Sequence, residues 1–172
     1  MRRVRVRTEV LLAAACLAAA LILGASELMD TFHLTPPGGE ALLADSAFDR
    51  HHGAMLVLAA ASVVALVVAG MTGSKPAAVS VAICGGIALL IFLVGDLPDA
   101  NKIGTLDDAR QSFIDAKAEP QSGFWFELIG ALVLAVAGTA LATMPEYRIK
   151  LFNREPDEGG SPRRIFGWSR SN

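Results

Sequence analysis

Four long apolar stretches constrain this chain more than any other feature of its sequence. They cover residues 10–25, 53–73, 77–94 and 124–144. A helix needs about 20 mostly apolar residues to cross a bilayer, because every backbone N–H and C=O group must be paired within the segment. With 53% hydrophobic residues, the chain is also too apolar for an ordinary soluble domain. The sequence therefore predicts an all-α fold, an integral membrane four-helix bundle in residues 1–144.

The first stretch has a second interpretation. A basic start, MRRVRVR, precedes a short apolar run with small residues near its end. This arrangement is typical of a secretory signal peptide, which would be cleaved. The alternative is a retained first helix, and an internal repeat favours retention.

The repeat has an offset of 68 or 69 residues. ACLAAALILGASELMD, which ends at Asp30, aligns with ICGGIALLIFLVGDLPD, which ends at Asp99, and ALVVAG ending at Gly70 aligns with VLAVAG ending at Gly138. Each half is then a helix, a connecting segment and a returning helix. We expect two tandem hairpins related by a pseudo-two-fold axis along the membrane normal. The alternative is chance alignment of segments rich in Ala, Val and Leu.

Arginine and lysine are unevenly divided between the two sides of the predicted bundle. Eleven lie on the side of the chain termini, and four lie in the loops of residues 26–52 and 95–123. The positive-inside rule therefore places both termini in the cytoplasm and both loops outside. A bacterial plasma membrane fits the Ala-rich spans and the excess of Arg over Lys. Residues 145–172 have the polar composition of a flexible cytoplasmic tail.

Carboxylates follow the first and third spans at matching positions of the repeat. Glu27 and Asp30 bracket the first of these ends, and Asp96 and Asp99 bracket the second. Hard cations bind carboxylate oxygens, so these four residues are a candidate cation site. The alternative is that water screens four exposed acids.

A second group of polar residues is expected near the same membrane interface: Asp49, His51, His52 and Glu127. The adjacent histidines do not have the i, i+4 spacing of a helical zinc site. Polar anchoring is therefore the alternative to a site made of histidine and acidic side chains. No sequence motif indicates a cofactor.

Aromatic and small residues indicate how the helices are placed and packed. Phe124, Trp125 and Phe126 suit the aromatic belt at a membrane interface. Close helix contacts in membranes use small residues at four-residue spacing. Two such stripes are present: Ala61, Ala65 and Ala69, and Ala131, Ala135 and Thr139. Cys16 and Cys84, inside apolar spans, are expected to be small packing residues.

Local patterns in the two loops predict short helices. Thr105 can cap a surface helix that runs to about residue 116 with an apolar stripe on one side, and Pro120 follows it. A shorter helix is expected in residues 40–50.

Three functions remain open. The favoured one is an accessory or assembly subunit that contacts the bilayer and other membrane proteins, or a second copy of itself, through helix packing and acidic loops. The second is an oligomeric channel or transporter with an acidic outer mouth. The third is a membrane-embedded enzyme with a site of histidine and acidic residues at the outer interface. No feature indicates a nucleic-acid partner.

Overall fold

The computed structural model describes residues 8–35, 43–100, 103–108 and 111–145. Most of the predicted tail lies outside these residues. The long helices are α1 (Thr8–Ser26), α3 (Ala54–Thr72), α4 (Lys75–Ile91) and α5 (Ser122–Ala142), and α2 (Ala47–His51) is short. A π-helical turn (Phe92–Asp96) and a 3₁₀ turn (Leu97–Asp99) continue α4.

The prediction of four long apolar helices is confirmed. With α4 extended to Asp99, each of the four is long and apolar enough to cross a membrane. The α3–α4 connection is tight: Gly73 closes α3 with a φ of 76°, and the Ser74 hydroxyl accepts a hydrogen bond from Ala77 N at 3.4 Å. Pro76 fits in the first turn of α4, where its missing N–H has no helical partner to lose.

The four long helices form a ring in which α1 packs on α3, α3 on α4, α4 on α5, and α5 on α1. The largest contacts are those of α5 with α1 and α4. Glycines allow these helices to approach closely: an added Cβ would lie 2.4 Å from Ala135 N at Gly85, and 2.9 Å from Ala82 N at Gly138. Backbone contact of this kind is how helices pack in a membrane.

The predicted small-residue stripes lie only partly between helices. Ala69 and Ala131 are buried, Ala65 and Ala135 are half-buried, and Ala61 and Thr139 are exposed. Gly85 and Gly138, which were not predicted as packing residues, make the closest approaches between helices. Cys16 is buried in the core and Cys84 is half-buried.

A four-stranded antiparallel sheet covers one end of the bundle. Its strands are β1 (Asp30–Thr35), β2 (Leu43–Ser46), β3 (Ile103–Asp108) and β4 (Gln111–Pro120), in the order β2-β1-β4-β3. We call this end the sheet end.

The sheet corrects two predictions. The fold is mostly helical but not all-α, and β3 and β4 replace the surface helix expected from Thr105. The physical reason is pairing between segments far apart in sequence: β4 pairs with β1, so that His33 faces Glu119 and Leu34 faces Ala118. Such pairing overrides local helix signals. The helix expected in residues 40–50 is also shorter, because β2 occupies Leu43–Ser46 and only α2 follows it.

The ring of helices is compatible with two like hairpins, but the strands of the two halves do not occupy equivalent positions in the sheet. By chain order β1 corresponds to β3, yet β1 is central in the sheet and β3 lies at its edge. Duplication of the helical hairpins stays a prediction.

Aromatic rings join the sheet to the bundle. Phe124 packs against Phe32 of β1 and Phe92 of the π turn, with ring centroids 5.5 and 4.8 Å apart. Phe124 is 3% exposed, so it packs within the core, and its role as an interface anchor stays a prediction. Trp125 and Phe126 remain exposed on α5. The packing fixes the sheet directly over the helix ends.

Candidate functional site

A short helix and a left-handed turn bring two basic side chains to the sheet end. Arg50 and His51 end α2, and the backbone then adopts positive φ at His52 (52°) and Gly53 (82°) before α3 begins. Histidine at positive φ is uncommon, whereas glycine adopts it without strain. The turn reverses the chain and leaves Arg50 and His51 against the end of α4.

The π turn supplies the central carboxylate. Asp96, its last residue, is fully buried, and its Oδ2 atom lies 2.8 Å from His51 Nε2. Arg50 Nε donates to Asp96 Oδ1 at 2.9 Å. Both oxygens of the carboxylate therefore face a nitrogen. π turns within α-helices occur often at functional sites, because the wider turn redirects the side chains that follow.

Glu127 completes the cluster from α5. It is fully buried, and its Oε1 atom lies 3.5 Å from His51 Nε2. While both carboxyl groups are ionised, neither oxygen of Glu127 has a hydrogen-bond partner among the residues that the structure describes. A buried acceptor without a partner costs about 1–3 kcal/mol, and more when it is charged. Glu127 is therefore neutralised either by a proton shared with the nearby Asp96 carboxyl or by a cation.

Arg50 ties the cluster to its surroundings. Its Nη2 atom donates to Asp99 Oδ2 at 2.8 Å, and its guanidinium lies 5.0 Å from the centroid of the Phe32 ring. A guanidinium over an aromatic face adds a cation–π attraction. Phe32 and Asp99 together hold Arg50 in the position from which it reaches Asp96.

Glu27 is a third buried acid at the same end of the bundle, after Asp96 and Glu127. Its Oε1 atom accepts a hydrogen bond from Met55 N at 2.8 Å, in the first turn of α3, while Oε2 has no partner among the described residues. The N-terminus of a helix favours a carboxylate. Glu27 also interacts electrostatically with Glu127, which adds negative charge to the site.

The two predicted groups of polar residues do not stay together in the structure. In the first group, Glu27 is buried beside the start of α3, and Asp30 is exposed with its Oδ2 atom 3.4 Å from His33 Nε2. The other two members, Asp96 and Asp99, both bind Arg50. The four carboxylates therefore do not converge on one point.

Of the second group, His51 and Glu127 meet at Asp96. His52, the neighbour of His51, is exposed. Asp49 belongs to α2, but its side chain lies outside the described part of the chain.

The cluster has the composition of a metal site. One ligand atom each from His51, Asp96 and Glu127 can be chosen so that all three lie within 4.8 Å of one another. Three ionised carboxylates, counting Asp99, and one guanidinium leave two negative charges when His51 is neutral, and Glu27 adds a third nearby. One divalent cation would offset most of this charge.

Arg50 was not predicted as a member of the site. One signal was available: Arg50 is the only Lys or Arg in the acidic segment 26–52. Its two carboxylate partners lie 46 and 49 positions further along the chain, and no local pattern connects them.

In comparisons with known proteins, no protein-family model, curated protein or solved structure matches this chain.

Proposed function

We propose that this chain is an integral membrane protein that crosses the bilayer four times and binds one divalent transition-metal ion through His51, Asp96 and Glu127. The observation that carries the proposal is Glu127. Its carboxylate is fully buried without a hydrogen-bond partner among the described residues, and an imidazole nitrogen and a second carboxylate lie beside it.

The ligand atoms indicate the kind of metal. Imidazole nitrogen and carboxylate oxygen suit Zn²⁺ and similar transition metals, whereas Ca²⁺ takes six to eight oxygen ligands. Two atoms bound tetrahedrally to one Zn²⁺ ion at about 2.0–2.2 Å are about 3.3–3.6 Å apart. A pair of ligand atoms at the 4.8 Å limit found here must therefore approach by about 1.2–1.5 Å when the ion binds.

The number of ligands indicates the kind of chemistry. Structural zinc sites use four protein ligands, whereas catalytic sites use three and keep a position for water or substrate. Three protein ligands therefore favour the membrane-embedded enzyme among the functions open from the sequence, with the metal as a Lewis acid. The accessory-subunit and channel functions stay predictions that no contact in the described residues favours.

The orientation in the membrane is part of the proposal. The excess of Arg and Lys on the side of the termini supports cytoplasmic termini and a sheet end that faces the exterior of a bacterial plasma membrane. The metal centre would then lie at the outer interface. Trp125 and Phe126, exposed beside the buried Phe124, suit that depth.

Metal binding can be tested on the full chain, purified in mild detergent and stripped with a chelator. Titration calorimetry with Zn²⁺ and with Mn²⁺ is expected to give one site per chain, and Ca²⁺ is expected not to compete. Glu127→Gln keeps the shape of the side chain and removes its charge, so the affinity should fall by more than about tenfold. His51→Ala should have a similar effect.

His52→Ala is the matched control, because His52 is the neighbouring histidine and is exposed. It should bind the metal as the wild type does. Absence of a site with one-to-one stoichiometry in the wild type would refute the proposal, and so would unchanged affinity in Glu127→Gln. In that case a proton shared between the two carboxylates would be the remaining way to neutralise them.

A further inference from the structure

An apolar groove opens beside the metal-binding cluster. Leu90, Ile91, Val94, Gly95 and His51 line it, and its volume is about 390 Å³. Leu90 and Val94 are 60% and 70% exposed, so the groove opens toward the surroundings of the bundle. In the proposed membrane placement those surroundings are lipid. His51 is the polar residue of the lining and belongs also to the metal cluster.

The groove follows from the change of helix type at the end of α4. The turn from Phe92 to Asp96 is π-helical and therefore wider than the α-helix before it. Gly95, within this turn, contributes no side chain, and a Cβ placed there would lie 3.6 Å from His51 Cε1. The glycine thus keeps the space next to the imidazole ring open.

The imidazole offers one more hydrogen bond. His51 Nε2 faces Asp96 and Glu127, and Nδ1 has no hydrogen-bond partner among the described residues. When Nε2 binds a metal, the proton resides on Nδ1 and is available for donation. A ligand in the groove would therefore need an acceptor oxygen at its polar end and an apolar chain behind it.

We propose that the groove binds one acyl chain of a bilayer lipid, with the ester carbonyl oxygen accepting a hydrogen bond from His51 Nδ1. The inference rests on the bilayer placement and the metal site proposed above. Lipid is the favoured occupant because the apolar walls of α4 end at the turn where the polar cluster begins. In a bilayer the hydrocarbon core likewise gives way to polar groups at the interface.

Photocrosslinking can test this on the full chain in phosphatidylcholine vesicles that contain a phosphatidylcholine with a diazirine in its acyl chain. After irradiation, trypsin releases residues 51–102 as one peptide, because it does not cleave between Lys75 and Pro76 and no other Lys or Arg lies between Arg50 and Lys102. Fragmentation of that peptide locates the adducts. We expect adducts on residues 90–95 to exceed those on Val79 and Ile83, which are also exposed on α4.

Two leucine substitutions on α4 distinguish the groove from general lipid contact. Gly95→Leu fills the groove and should lower the adducts on residues 90–95 by about tenfold, as expected when a side chain occupies the binding space. Gly86→Leu adds the same side chain where no atom lies within 4 Å, so the adduct pattern should not change. If Gly95→Leu does not fold, Val94→Phe narrows the groove from its wall.

The outcomes separate this inference from the proposed function. Adducts spread evenly over the exposed positions of α4, with no response to Gly95→Leu, would overturn the lipid site while one-to-one metal binding stays intact. Adducts on none of the four helices would refute the bilayer placement and the lipid site with it.

Discussion

A single methyl group added at Gly85 tests how closely α4 and α5 pack. The Cβ of alanine at this position would lie 2.4 Å from Ala135 N and 2.7 Å from Leu134 C. Both are backbone atoms and cannot rotate away. At Gly86, the next residue, a Cβ meets nothing within 4 Å. Gly85→Ala and Gly86→Ala therefore differ in packing while making the same chemical change in the same helix.

The expected size of the effect follows from these distances. Ordinary van der Waals contacts of a Cβ begin at 3.4 Å, so α4 and α5 must separate by about 1 Å to accept the methyl group. Overpacking of this kind costs about 1–3 kcal/mol. Replacing glycine by alanine within a helix contributes about 0.5–1 kcal/mol of stability in either variant, and this gain cancels in the comparison. Gly85→Ala should thus be less stable than Gly86→Ala by about 1–3 kcal/mol.

The measurement is reversible unfolding of both variants and the wild type in mixed micelles, followed by circular dichroism. Gly86→Ala should unfold at the same denaturant mole fraction as the wild type or a higher one, and Gly85→Ala at a lower one. Equal midpoints for the two variants would show that α4 and α5 do not approach each other at Gly85. The order of helices around the ring would then be wrong as well.

Three further predictions concern the sheet end. Phe32→Ala removes a buried ring that packs on Phe124 and Arg50 and should cost about 3–5 kcal/mol in the free energy of unfolding; a loss under about 1 kcal/mol would contradict the aromatic contact. Glu27→Ala leaves Met55 N without its acceptor and should cost about 1–3 kcal/mol, whereas Glu27→Gln should cost less in the same assay, and equal losses would contradict this hydrogen bond. Zn²⁺ affinity should weaken as the pH is lowered from about 7.5 to about 5.5, because protons compete for the ligand atoms; calorimetry at both values checks this, and a pH-independent affinity would exclude an imidazole ligand.

The helices were predictable from the sequence because their signal is local. A run of about 20 apolar residues identifies a candidate membrane helix without knowledge of the rest of the chain. For three of the four spans the observed ends differ from the predicted ones by one or two residues, as with Thr8–Ser26 for residues 10–25. The third span begins two residues before its predicted start, and the π and 3₁₀ turns continue it to Asp99.

The sheet was not predictable in the same way, because its signal is long-range. Thr105, the following acids and Pro120 have the composition of a capped helix, and only the pairing of β4 with β1 decides otherwise. That pairing spans more than 80 residues, from Leu34 to Ala118. A single sequence contains no direct record of it.

The residues of the candidate site were predictable, but their grouping was not, for a related reason. His51, Asp96 and Glu127 were all predicted as candidate site residues. They were placed in two different groups, because the groups were inferred from repeat position and residue type. The repeat equates Glu27 with Asp96 and so suggested a shared role. In the structure both acids instead take their partners from the first half: Glu27 accepts from Met55 N in α3, and Asp96 faces Arg50 and His51 of α2.

The two halves therefore use the same position for different purposes, and the sheet explains how this arises. Strand β1 brings Phe32 under Arg50, and this contact orients the guanidinium toward Asp96. β1 is central in the sheet and packs against α5, whereas its counterpart by chain order, β3, is at the edge. The acid of the first half is thus bound to a helix N-terminus, and the acid of the second half joins a cluster of basic and acidic side chains.

If Phe32 orients Arg50 in this way, Phe32→Leu, which retains an apolar side chain but no aromatic face, should alter metal affinity more than it alters stability. Parallel titration and unfolding of this variant measure the two effects, and a change in stability alone would leave Phe32 as a packing residue only.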